Sequence, residues 1–600
     1  MICIRSARSV AGSPVAATVD GSRRRAAISL VLGLGLTLSA AGCASGSFFQ
    51  IQPERDTSYF GHYLAGRYAG VLHENDKAAT FYAEALEGDP DNPVIIERAF
   101  TLAVTAGDMD RAVSLAEEIV KQTPDERTAR LVLGLRDLRQ RNYGSAIANL
   151  DGAAPGPFTA LIGTLAKAWA EAGLGNSEAA LAGVASFEGR PAFDLFRFYH
   201  EALVRDFLAD GKGAEQAYRQ AMEVSGGASL RVVQAYGNFL ERQGRFEDAR
   251  EIYGRYAVNA PTHPVVVALL SGVDGRRVPA PLFAQPADGI AEALYGLGSA
   301  LAQENGIDIA ILYIQLALYL RPDFDVARSL LADIYETDKR WEDAIAAYRR
   351  IPETSPLYQS GQIQIAINLD RLKHSDEALA MLRDMIKSAP GVMEPVVAMG
   401  DILRSGEHYE AAAEQYSHAL ELAGEKASDH WTLFYARGIC YERLGRWPES
   451  ERDLKTALQL SGEHPLVLNY LGYSWVDQNV HLEEAMAMIH KAVDLRPNDG
   501  FIVDSLGWAY YRTGDYAMAT EQLERAVVLQ PEDPTINDHL GDALWKVGRK
   551  LEARFQWRHA LELKPEEKLI PDIQAKLDFG LDAEEAATVR QNQPGDASGS

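Results

Sequence analysis

A pattern of small and large residues recurs along this chain every 34 residues, and that spacing decides the architecture before any local reading begins. One copy reads Asp504-Ser505-Leu506-Gly507-Trp508-Ala509-Tyr510-Tyr511, followed by Ala519, Leu523, Ala526 and Pro531. The next has Leu540-Gly541, Ala553, Trp557, Ala560 and Pro565; the one before, shifted by a single insertion, has Leu471-Gly472, Ala485, Ala492 and Pro497. Each position has a physical reason. Gly507 and Ala519 fall where two antiparallel helices approach closely, and a larger side chain there would overpack by about 1–3 kcal/mol. Tyr510 and Leu523 fill the space between those helices, Gly514-Asp515 marks the turn between them, and Pro531 cannot continue the second helix. A two-helix unit of this size cannot cover its own apolar side, so neighbouring units must stack.

The template also fits Leu297-Gly298, Ala310, Ala317 and Pro322, then Leu331-Ala332, Ala344, Tyr348 and Pro356, then Ala378 and Pro390. These residues resemble the tetratricopeptide repeat, a helix-turn-helix family. The resemblance implies an all-α fold, an α-solenoid (superhelix) of about fourteen units in two arrays. Units are expected to start near Tyr59, Pro93, Arg127, Leu230, Ala291, Asp325, Gln359, Met393, Trp431, Pro465, Gly500 and Pro534, with two degenerate ones near Ala160 and Leu195. The expected organisation is an N-terminal array over 59–263, a break over 264–290, a C-terminal array over 291–567, and a capping helix with a disordered tail over 568–600. The break rests on Pro279, Pro281, Pro286 and the lack of a 3.6-residue apolar period after Leu270.

The first residues have another purpose. Arg23-Arg24-Arg25 precede an apolar run from Ala26 to Leu38, then Ser39-Ala40-Ala41-Gly42-Cys43. A charged start, a short apolar run and a small-residue end describe an export signal, and the run is too short to span a bilayer. Small residues directly before a cysteine resemble the lipobox of bacterial lipoproteins, in which the chain is cut before the cysteine and its thiol is diacylated. That resemblance implies a signal peptide over 1–42, lipid attachment at Cys43 and a tether over 43–58. Ala44 after the cysteine implies, by the same resemblance, sorting to the outer membrane, facing the periplasm. Ordinary secretion, with Cys43 an incidental thiol, is the alternative. An acylated Cys43 leaves Cys440 without a disulfide partner.

Composition narrows the function. With 59 Lys plus Arg against 84 Asp plus Glu, the formal charge is -25, which disfavours a nucleic-acid partner. There is no His-Glu-x-x-His, no phosphate-cradling Gly-x-x-x-x-Gly-Lys and no Gly-x-Ser-x-Gly. His200-Glu201 lacks the second histidine a zinc site needs. The chain is accordingly read as not an enzyme, with no metal and no cofactor.

What a solenoid offers is surface. In the repeat family set positions of the first helix line a concave groove, and in the last units they carry Asn469, Tyr473, Asp477, Asp504, Trp508, Tyr511, Arg512, Asp538, Asp542 and Lys546. Rings supply buried area and acids orient basic or amide groups of an extended or helical polypeptide. The alternative is a plain solvated wall with its aromatics packed into the next unit. The family's two-carboxylate clamp for peptide C-termini needs Lys, Asn and Arg in set places, and that constellation is missing.

Leu468-Asn469-Tyr470-Leu471-Gly472-Tyr473-Ser474-Trp475 and Pro534 through Asp542 resemble a family of Gram-negative repeat lipoproteins. The group includes an outer-membrane adaptor that binds a periplasmic carboxyl-terminal processing protease and brings it cell-wall hydrolases. The resemblance implies a membrane-tethered, non-catalytic scaffold for protein partners, with that adaptor role as its specific form and an open oligomeric state. Two rivals stand: a scaffold for exopolysaccharide export or pilus and secretin assembly, and an enzyme with an unrecognised site.

Overall fold

The computed structural model describes residues 58–72 and 74–581. The expected signal, Cys43, nearly all of the tether and most of the tail lie outside the described residues. Among the described residues there are thirty α-helices, two short 3-10 segments and no strand. The helices form antiparallel pairs from Tyr59–Val71 with Asn75–Gly88 to Pro534–Lys546 with Lys550–Glu562. Thirteen such pairs pack together within the two units, close to the fourteen the repeat implied. The helices starting at Tyr59, Pro93, Arg127, Leu230, Asp325, Met393, Trp431, Pro465, Gly500 and Pro534 begin where the pattern placed them. The two degenerate units start at Pro157 and Asp194, within three residues of expectation.

Local chemistry explains these starts. The Asp533 carboxylate accepts from the backbone N–H of Thr535 at 2.9 Å and of Ile536 at 3.0 Å, and Pro534 occupies the first helical position, where no N–H is needed. Asp499 caps Gly500–Thr513 in the same way. Inside a pair the glycine reading also holds: a Cβ on Gly507 would sit 2.5 Å from Leu523 Cγ, so only glycine lets the two helices meet there.

The chain divides into two compact units, Met1–Gln362 and Ile363–Ser600. This division differs from the expected break at 264–290. That stretch contains a helix, Pro264–Asp274, whose Val265 and Val266 are buried, and only 275–285 is irregular. A short all-apolar run such as Pro264-Val265-Val266-Val267-Ala268-Leu269-Leu270 shows no period to read.

The two helices beyond the irregular stretch explain the larger difference. Helix Pro286–Gln303 packs on its partner Ile307–Leu320 and also on Arg127–Arg139, Pro157–Leu174 and Asp194–Phe207. Ile307–Leu320 packs on Pro93–Ala106 and Arg127–Arg139. These are first helices of the early pairs, so the chain returns into the inner wall of its own first array. Residues Pro286 through Leu294 are buried without interruption, which is possible because Ala287, Gly289, Ala291 and Ala293 are small. A Cβ on Gly289 would lie 2.1 Å from the Trp169 ring.

One buried ion pair fixes the returning helix. Arg231 grips Glu292 with both ends of its guanidinium, one contact at 2.8 Å, and the Tyr199 hydroxyl donates to Glu292 at 3.3 Å. Beside it Trp169 Nε1 donates to His200 Nδ1 at 3.3 Å, and burial pushes the His200 pKa down to about 4, so this histidine is neutral and structural. Replacing Glu292 by Ala leaves Arg231 as an uncompensated buried charge and is expected to destabilise the protein by about 3–5 kcal/mol. Urea denaturation followed by circular dichroism measures this; a loss below about 1 kcal/mol would show that the pair does not hold the helix.

Candidate protein-binding groove

In the second unit, the first helices Pro465–Asp477, Gly500–Thr513 and Pro534–Lys546 stand side by side and carry the ten expected groove residues. A three-ring stack forms the centre. Trp508 lies flat against His539, with centroids 4.1 Å apart, and against Tyr511 on its other side at 4.8 Å. Tyr511 meets Tyr516 edge-on. The Asp504 carboxylate, buried behind the stack, is 2.9 Å from His539 Nδ1. Burial lowers the His539 pKa, but Asp504, together with Asp538 and Asp542, outweighs it and the net shift is upward. The imidazole is therefore held toward its charged form, in contact with an indole face that favours cations.

The remaining residues flank this centre. Half-buried Tyr473 has its hydroxyl pKa pushed up to about 12 by burial and by nearby Asp504 and Asp477. Arg512 pairs with Asp477 at 2.7 Å in an exposed position. Asn469 Nδ2 donates to the Ser505 hydroxyl at 3.1 Å, and the Lys546 ammonium stands 6.0 Å from the centre of the Tyr516 ring. Three buried polar atoms of this set have no hydrogen-bond partner in the chain: Asn469 Oδ1, Trp508 Nε1 and Asp538 Oδ1. Buried polar atoms are nearly always paired, so a donor and two acceptors left unpaired beneath one wall are an exception.

Asp542 departs from a groove role. It is 4% exposed and accepts from Trp557 Nε1 at 2.9 Å and from the Lys576 ammonium at 3.0 Å. Lys576 also reaches Asp538 at 2.9 Å and Asp572 at 3.2 Å. It belongs to helix Ile570–Phe579, which seals this end of the unit by burying Ile573, while Leu581 just beyond is buried too. Burial and the neighbouring Asp538 carboxylate raise the Asp542 pKa, while Asp542 and Asp538 outweigh burial and hold Lys576 charged. Asp542 thus anchors the cap from inside, and Asp504 orients His539.

Two residues of the site escape the sequence reading. His539 occupies the place that Ser505 holds one repeat earlier, and the change from serine to a ring beside Trp508 is a visible signal. Lys576 lies in a helix outside the repeat, where no period points to it. Among the described residues no group of three or more His, Cys, Asp or Glu is arranged to hold a metal ion, and no helix is long and apolar enough to cross a membrane. Among the described residues Cys440 is buried and has no disulfide partner.

The sequence profile described as Tetratricopeptide repeat matches residues 98–158, 295–358, 397–465 and 505–565. Among curated proteins, the chain is 27% identical over 200 residues to the TPR repeat-containing protein PA4667 of Pseudomonas aeruginosa, across 33% of this chain and 30% of that one. It is 30% identical over 118 residues to BBSome complex member BBS4 of Bos taurus, across 20% of this chain and 21% of that one. The matches span about a third or less of these relatives' length. Among solved structures, yeast Tom70 aligns with a TM-score of 0.33 at 16% identity, over 90% of this chain and 97% of that one. The APC/C hetero-tetramer Cut9–Hcn1 aligns with a TM-score of 0.37 at 13% identity, over 88% and 97%.

The His539 environment makes a pH prediction. A histidine whose folded pKa is raised adds stability fully present below its unfolded value of about 6.5 and lost as pH rises through the folded pKa. The stability difference between the native chain and His539→Gln is expected to be largest below about pH 6.5 and to shrink steadily above it. Paired denaturation curves from pH 5.5 to 9 measure this; a difference that grows with pH would contradict it.

Proposed function

We propose that this chain, built of tetratricopeptide repeats in both of its units, is a non-catalytic scaffold that grips an extended polypeptide along the Asn469–Lys546 wall. The single observation that carries this reading is the Tyr511–Trp508–His539 stack on a wall where Trp508 and Tyr511 remain partly accessible. Stacked rings give large rigid area at low entropic cost, which suits the side chains of an extended peptide.

The specific form we favour is an adaptor, tied by lipidated Cys43 to the outer membrane. There it would bind a periplasmic carboxyl-terminal processing protease and its cell-wall hydrolase substrates. Support comes from the likeness of Leu468–Trp475 and Pro534–Asp542 to Gram-negative repeat lipoproteins, and from the small-residue run before Cys43. Diacylation suits such a role, since one chain binds a membrane only marginally and two hold it firmly.

The test is affinity capture from solubilised outer membranes followed by mass spectrometry. Recovery of a processing protease is expected; secretin or polymer-synthesis subunits in its place would favour the export-scaffold reading. Trp508→Ala is expected to weaken capture at least tenfold with helicity unchanged, about 1.4 kcal/mol or more. Asp542 is a poor probe, because its loss would remove a buried partner of both Trp557 and Lys576 and loosen the cap. Unaltered capture by Trp508→Ala would move the binding surface elsewhere. In the same preparation Cys43→Ala is expected to shift the protein from the membrane to the soluble fraction, and unchanged fractionation would overturn the anchor.

A further inference from the structure

The return of the chain into its first array creates a second feature, far in sequence from the Trp508 wall. A cleft of about 520 Å³ opens where Ile307–Leu320 passes the turn after Pro93–Ala106, and Arg139, Arg328, Arg340 and Arg350 all line it, with Tyr319 and Tyr335. Four arginines around one cleft are unexpected in a chain of formal charge -25.

Their partners account for only part of that charge. Arg340 pairs with Asp343 at 2.7 Å and lies over the Tyr335 ring at 4.4 Å. Arg139 lies over the Tyr319 ring at 4.5 Å. Among the described residues no carboxylate pairs with Arg139, Arg328 or Arg350. Arg328 donates to the Pro322 carbonyl, but its buried Nε has no partner. Burial and the nearby Arg350 depress the Arg328 pKa, with Asp325 only partly offsetting them. The other lining acids give little relief: Asp108 caps the next helix by accepting from Arg111 N–H at 3.3 Å, and Asp110 is exposed. Crowded guanidinium groups without counter-charge are costly, and an anion seated among them would remove that cost.

We infer that this cleft binds a carboxylate-bearing peptide segment of a protein ligand, its acids held by Arg139, Arg328 and Arg350. The planar fork of arginine fits a carboxylate with two parallel hydrogen bonds. The walls favour a peptide over a bare inorganic anion, because Leu318, Leu331 and the two tyrosine rings offer apolar surface between the charges. The volume also falls within the roughly 300–1,000 Å³ of ligand pockets. The site is independent of the Trp508 wall.

The test uses the full mature chain and a rhodamine-labelled peptide alternating Glu and Tyr, followed by fluorescence anisotropy. Saturable binding is expected, weakened at least tenfold when Gln replaces Glu in the peptide, and falling as salt rises. Arg328→Gln combined with Arg350→Gln is expected to weaken binding at least tenfold. Arg350→Gln alone, at an exposed position whose change leaves the core intact, is expected to weaken it several-fold. Absence of saturable binding, or binding indifferent to both variants, would overturn the proposal. So would binding of inorganic phosphate at the cleft without binding of the Glu peptide, which would mark a small-anion site. The readout is a synthetic peptide, so its outcome does not depend on which partner the Trp508 wall captures.

Discussion

A two-helix unit of 34 residues cannot cover its own apolar face, and every larger feature of this molecule stems from that deficit. Each pair closes on a small residue facing a large one, as Gly507 faces Leu523 and Gly541 faces Trp557. The remaining apolar side must be covered by the next pair. The terminal pair has no next neighbour, so a helix from outside the repeat covers it, bringing Ile573 and Leu581 to Trp545 and Trp557. The same demand acts on the inner walls. In the first unit it is met from within, because small residues at Ala287, Gly289, Ala291 and Ala293 let the returning helix lie against Trp169. In the second unit the wall is lined by rings and acids.

This contrast gives the two units different chemistry from one motif. The first unit spends its inner surface on Arg231, Glu292 and Tyr199, a buried polar set whose worth lies in fixing one arrangement. The second keeps Trp508 partly accessible, stacked between Tyr511 and His539.

How much of this was legible in the sequence depends on the range of the forces involved. Helix starts such as Pro465, Gly500 and Pro534 are set by caps, prolines and the small residues of one repeat, all within a few positions, and they were read closely. The helix Pro264–Asp274 was hidden because an unbroken apolar run has no period. The return of Pro286–Gln303 was hidden because its partners, Trp169 and Arg231, lie far away in the chain. The ten groove candidates lie on first helices, yet Asp542 serves the cap, because Trp557 and Lys576 converge on it through packing that no local spacing reveals.

The central claim is that the Trp508 wall is a contact surface for another protein. Site-specific photo-crosslinking in living cells tests it most directly, with the photoreactive residue placed at Tyr473 on the wall or at exposed Arg558 on a second helix. The account predicts a discrete crosslinked protein from position 473 and none from position 558. A crosslink from 558 with none from 473 would contradict it.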